Sequence, residues 1–156
     1  KAHKFHGDSK NYHSPVNSYI NRVLESKKGN PLSICLLYSI IAQSLDLPIY
    51  GVNLPNHFVL AYIDTRGSVA MINEENEFGV LCYINAFSNG VIFNTNEIKQ
   101  FLDELKLPHR REYFEPCSNS AIIKRMLNNL ISSFQRVGNS EKVEELTVLR
   151  NIIQGN

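Results

Sequence analysis

Between Asn30 and Asp46 the chain carries a helical segment with no polar face. Over residues 31–46 the apolar side chains Leu32, Ile34, Cys35, Leu36, Leu37, Tyr38, Ile40, Ile41, Ala42 and Leu45 point in every direction around a helix axis. Its start is marked by Asn30 as cap and Pro31 at the first helical position, where a missing N–H costs nothing. A helix that is apolar all round belongs at the centre of a domain. Other elements are therefore expected to cover it on several sides.

The flanking segments supply candidates for that cover. Ser14-Pro15 reads as a helix start, and Val16, Tyr19, Ile20, Val23 and Leu24 form one stripe of a helix over 15–26. After the long helix the period changes from helical to alternating. Residues 48–54 (PIYGVNL) read as a strand, Pro55-Asn56 breaks it, and residues 57–64 (HFVLAYID) read as a second strand. A polar excursion follows to residue 77, then a third strand at 79–85 (GVLCYIN) and a short fourth at 91–93. Thr95 is read as the cap of a helix whose face is Ile98, Phe101, Leu102 and Leu105. Residues 106–118 connect to a long helix at 119–137. A Gly138 turn leads into a last helix over 140–153, so the chain ends in a helical hairpin of about the length of one tetratricopeptide repeat. Residues 1–13 lack periodicity and read as a mostly irregular entry.

Composition narrows the function class. Sixteen basic and 15 acidic side chains leave a net charge of +1, so nucleic acid is not the expected partner. No apolar run reaches the roughly 18 residues of a membrane span, so no membrane partner is expected. Three cysteines, Cys35, Cys82 and Cys117, are too few and too scattered for a disulfide framework or a zinc cluster, which fits a reducing, cytoplasmic setting. His3 and His6 are a weak metal signal; no metal and no cofactor are expected. His109-Arg110-Arg111 is a local basic cluster that reads as a solvated loop or as a contact for an acidic partner.

One constellation has the order that nucleophilic catalysis uses. A thiol near a helix N-terminus, a histidine on a neighbouring strand and an Asn or Asp orienting that histidine make a proton-transfer chain. Cys35, His57 and Asn85 fall in these roles by position. Cys35 lies one turn into its helix, where the dipole has faded and apolar neighbours raise a thiol pKa, so packing is its expected role. Ser33 is a further hydroxyl at the helix start, expected to bond local backbone. Cys82 and Cys117 are expected to pack. Cys82, three residues before Asn85 on a strand, is expected on the opposite face.

The segments NSYINRVLESKKGNPLS and LLYSIIAQSLDLPIYGVNLPNHF resemble a bacterial transglutaminase-like family, Sir-type, with a tetratricopeptide-like helical tail. YINAFSNG resembles its third-strand segment and residues 119–154 its terminal hairpin. The resemblance implies an α+β fold with a transglutaminase/cysteine-protease-like core, a central buried helix on a small antiparallel sheet, over 1–117, and a helical hairpin over 118–156. Longer members carry helices before this point, so Lys1 is expected to be an internal start. The superfamily's Cys-His-Asp triad carries over as His57 for the histidine and Asn85 for the aspartate. Alignment through Leu45-Asp46-Leu47-Pro48 puts the nucleophile slot at Pro31, which has no nucleophile. The expected function is a non-catalytic scaffold or regulator that binds a protein or peptide in a degenerate cleft. The alternative is a cysteine-dependent peptidase or acyltransferase-like hydrolase pairing His57 with Cys35. A third reading is a structural module of a longer protein.

Overall fold

A computed structural model describes residues 4–65 and 78–155, apart from the side chain of Gln154. Its centre is a four-stranded antiparallel sheet in sequential order: β3 (Ile49–Val52), β4 (Val59–Ile63), β5 (Val80–Asn85) and β6 (Val91–Phe93), preceded by the short strands β1 (His6–Gly7) and β2 (Lys28–Gly29). The helices are α1 (Ile20–Ser26), α2 (Pro31–Ser44), α3 (Thr95–Glu104), α4 (Asn119–Arg136) and α5 (Ser140–Gln154). Residues 66–77, which hold most of the polar excursion, lie outside the described residues, as does His3.

Strand alternation divides the core in two. Ile49, Leu60 and Ile84 face α2, packing with Val23, Leu32, Ile34, Cys35 and Leu37. Ile122 and Met126 of α4 extend that layer. Val52, Val59, Ala61 and Tyr83 face the other way, against Ile98 and Leu102 of α3 and against Phe114. The buried Tyr83 hydroxyl donates to the Phe114 carbonyl at 2.8 Å, so this second layer is closed by a hydrogen bond as well as by area. Cys82 packs on the α2 side while Asn85 belongs to the opposite parity.

α2 is covered on several sides, by α1, by β3 and β4 and by α4, though not along its whole length. Its first two turns are buried, but farther along Tyr38, Ile40 and Ile41 are about half exposed (42%, 53% and 51%) among the described residues. Lack of a polar face shows that solvation was not required of the segment; it does not say which flanks a single chain covers. The segment 15–26 is not one helix. Pro15–Ser18 forms a single 3-10 turn, Tyr19 is extended, and α1 starts at Ile20. The break frees Asn17 and Ser18 to turn inward, and both are buried. The third helix is capped by Asn94, not Thr95. The Asn94 side chain accepts from Asn96 N and Glu97 N while Glu97 bonds back to Asn94 N, a reciprocal capping box. The described part of the entry segment is mostly irregular apart from one short ladder, in which His6 and Gly7 pair in parallel with Lys28 and Gly29. Phe87 packs where Gly7 has no side chain, which fixes this ladder against the end of β5.

α4 and α5 form the expected antiparallel pair across Gly138, whose φ of 73° suits glycine. Among its described side chains α5 has none fully buried, and Val148, Leu149 and Ile152 are exposed. α4 by contrast also packs on α2 and on the Pro15–Ser18 turn.

Candidate functional site

The site is built at the start of α2. Asn30 accepts from Ser33 N at 2.9 Å, and Ser33 Oγ accepts from Asn30 N at 3.0 Å, completing a capping box. The box is buried, so each remaining polar atom needs a partner. Asn30 Nδ2 donates to Ser18 Oγ at 2.9 Å and Ser33 Oγ donates to the Asn17 carbonyl at 2.6 Å. The 3-10 turn at Pro15–Ser18 is therefore the lock on this helix start. Ser33, expected from sequence to bond local backbone, is 1% exposed and engaged in this network.

Cys35 lies one turn deeper. It is fully buried, its Sγ donates to the Phe58 carbonyl at 3.4 Å, and burial pushes its thiol up to about 12. Such a thiol is protonated at neutral pH, whereas nucleophilic cysteines are thiolates. Cys82 and Cys117 are partly buried, and burial raises both thiols.

His57 follows the Pro55-Asn56 turn, where Asn56 takes a φ of 58° and His57 N donates to the Leu54 carbonyl at 3.2 Å. This turn sets His57 at the mouth of the sheet rather than within a strand, since β4 starts at Val59. The ring meets Phe87 edge-on at 6.4 Å, and His57 and Asn85 line the same hollow. Asn85 also accepts from Ser88 N at 3.1 Å, so it is both a turn residue and a neighbour of His57. Burial depresses the His57 pKa, the nearby Asn85 side chain opposes this, and the positive charge of Arg125 adds to the depression.

The sign has a consequence for stability. A folded pKa below the unfolded value means that the unfolded chain binds the proton more readily. The contribution of His57 is thus fully present above the unfolded pKa of about 6.5 and is lost as pH falls through that value toward the folded one. Chemical denaturation of the wild type between pH 7.5 and 5 is expected to show a steeper loss of stability than His57→Gln. Parallel curves would contradict the assigned burial.

His57 divides two hollows. The larger, about 340 Å³, is lined by Asn30 and Pro31 from the start of α2, by His57, and by Arg125, Asn129 and Ser133 from α4. The second, about 250 Å³, is mainly apolar and includes Leu54, Val59, Val91, Phe93, Ile98 and Phe101 around His57 and Asn85. Pro31 and His57 therefore face one space, and His57 and Asn85 share the other, while Cys35 lines neither.

The α4 residues were missed in the sequence, yet a signal exists. Arg125, Asn129, Ser132 and Ser133 recur at intervals of four, three and one, a polar stripe beside the apolar one. Arg125 Nη1 donates to Asn53 Oδ1 at 3.0 Å and to the Leu54 carbonyl at 3.2 Å, tying α4 to the segment after β3. The basic cluster at 109–111 is internally matched instead: His109 contacts Asp103 at 2.7 Å, Arg110 Glu112 at 3.5 Å and Arg111 Glu115 at 2.7 Å. His6, the other described member of the weak metal pair, sets its Nδ1 3.1 Å from the Lys4 carbonyl. Among the described residues no helix is long and apolar enough to cross a membrane.

Comparison with known proteins identifies the family. The family described as transglutaminase-like superfamily matches residues 1–128, which takes in the sheet, α2 and the first turns of α4. Human F-box only protein 21 is 30% identical over 137 residues, covering 86% of this chain and 20% of that protein. A UPF0162 protein of Haemophilus influenzae is 30% identical over 132 residues, covering 81% of this chain and 48% of that protein. One from Xylella fastidiosa is 26% identical over 136 residues, covering 83% and 44%. The chain thus spans about a fifth of F-box only protein 21 and under half of these UPF0162 proteins. No solved structure matches it. The match over residues 1–128 and the α+β architecture place the chain in the transglutaminase-like superfamily, in a branch with bacterial members.

Proposed function

We propose that the chain is a non-catalytic transglutaminase-like module whose cleft binds a peptide or an extended segment of a partner protein. One observation carries this reading. The helix start that faces His57 presents Pro31, which has no nucleophile, while the thiol of the same helix is fully buried behind it. The paired hollows on either side of His57 have the polar and apolar character that holds an extended chain by backbone and side chain. Residues 118–156 then act as a second unit seated on residues 1–117, with α4 forming one wall of the cleft. The small share of F-box only protein 21 that the chain spans fits a module working within a larger protein.

The rival is a peptidase or acyltransferase that uses Cys35. The placing of His57 and Asn85 on one hollow favours it, because a base and its orienter must lie together. Incubation with a mixed peptide pool, followed by mass spectrometry, separates the two. The scaffold reading expects retained peptides at unchanged mass. New cleavage fragments, or an acyl adduct on Cys35 that His57→Ala abolishes, would establish the rival.

A further inference from the structure

We propose that the larger hollow binds a carboxylate group of the peptide, held by Arg125, with a neighbouring apolar side chain of the ligand seated in the hollow beyond His57. This rests on the peptide-binding reading and names the chemistry the cleft selects. Arg125 is half-buried, and no carboxylate lies within 4.0 Å of it among the described residues. It is the one Lys or Arg among the residues lining the hollow, and no acidic side chain lines it. Withdrawing a guanidinium from water without a counter-ion is costly, and an anion entering the hollow relieves that cost.

The hydrogen bonds show how much of the guanidinium is free. Nη1 is occupied by Asn53 and Leu54. Nη2 and Nε have no acceptor among the described residues, and neither is sealed from solvent. That leaves the Nε–Nη2 edge, whose two parallel N–H groups match a carboxylate fork. The start of α2 forms another wall, and its partial positive charge acts in the same direction. Ser133, buried with its hydroxyl not engaged, and Asn129 add neutral hydrogen-bonding groups. One permanent positive charge, beside the histidines His13 and His57, suits a carboxylate monoanion; a phosphate dianion calls for a second permanent cation.

The two hollows set the register. The Leu54 carbonyl receives Arg125 while the Leu54 side chain lines the apolar hollow, and His57 lines both. A ligand with its carboxylate on Arg125 can therefore place an apolar side chain among Val59, Val91, Phe93 and Phe101 by passing His57. The carboxylate is that of a chain end or of an Asp or Glu side chain.

Calorimetric titration of the full chain with acetyl-Ala-Ala-Phe, as free acid and as C-terminal amide, tests this. The free acid is expected to bind at least about tenfold tighter than the amide, a gain typical of a charge-assisted pair. Arg125→Gln should abolish the advantage of the acid over the amide, with Arg125→Lys between. Replacing the ligand's Phe by Ala should weaken binding. An amide-capped peptide carrying Glu that binds better than the free acid, and loses that advantage in Arg125→Gln, supports the site and assigns the carboxylate to a side chain. Equal binding of acid and amide by the unaltered protein would overturn the carboxylate site while leaving the peptide cleft standing. Stronger competition by inorganic phosphate than by acetate would overturn it in favour of a phosphate site. Failure of both peptides and of the mixed pool to bind would overturn both readings.

Discussion

Phe58→Ala is expected to destabilise the protein by about 3–5 kcal/mol, the range for removing a buried aromatic side chain. The ring is 2% exposed and packs in the layer between the sheet and α2. It fills the space that Gly51 leaves open on the neighbouring strand, where a Cβ would come within 2.6 Å of it. Neither flank can relax into the void easily, because Gly51 has no side chain to extend and the Phe58 carbonyl is held by Cys35. His57 is the adjacent residue, so the variant should also lose peptide binding beyond what its unfolded fraction explains. Urea denaturation checks the first statement: a lower midpoint at unchanged slope. The exposed Ile152 serves as the control, with Ile152→Ala within about 0.5 kcal/mol of wild type. A loss under about 1 kcal/mol for Phe58→Ala would contradict the packing described.

Asn30→Ala is expected to cost about 2–4 kcal/mol, more than the usual cap loss of about 1 kcal/mol. Ordinary caps face water, which replaces the lost bond. Here Ser33 N would lose its side-chain acceptor and Ser18 Oγ its donor in a buried setting, and each such loss costs about 1–3 kcal/mol. For a chain of this length, that corresponds to a fall in Tm of roughly 4–16 °C. Asn139, the exposed cap of α5, gives the comparison: its side chain accepts from Lys142 N at 3.0 Å, and Asn139→Ala should cost about 1 kcal/mol or less. Equal losses at the two caps would show that the Asn17, Ser18, Asn30 and Ser33 network adds nothing to simple capping.

Much of this fold is legible because local signals and burial agree. Asn30-Pro31 caps its helix where the sequence puts it, and the strands alternate as their positions require. The failures have local causes. Ser14-Pro15 has the letters of a helix start, but the Ser14 side chain caps nothing, because Asn17 and Ser18 are needed inside. Asn94 and Thr95 are both good caps, and the residue three farther on decides between them. Glu97 completes a box with Asn94; Ile98 cannot do so with Thr95. The ladder at His6–Gly7 is too short to leave an alternating pattern.

The candidate site divides the same way. His57, Asn85 and Pro31 are found in sequence because turns and caps fix where they end up. Arg125 is not, because it bonds residues 72 and 71 positions away and sits on a helix whose polar side reads as solvated. A polar stripe at helical spacing looks the same from sequence whether it faces water or lines a cavity.

The most direct test of the central claim is alkylation of the native protein with iodoacetamide at pH 6 and pH 8, with each modified cysteine located by mass spectrometry. Cys35, fully buried and with its thiol pushed up to about 12, is expected to stay unmodified at both values until the chain is unfolded. The partly buried Cys82 and Cys117 should react slowly, and only at the higher pH. Rapid modification of Cys35 at pH 6 that disappears in His57→Ala would contradict the account and make this cleft a catalytic one.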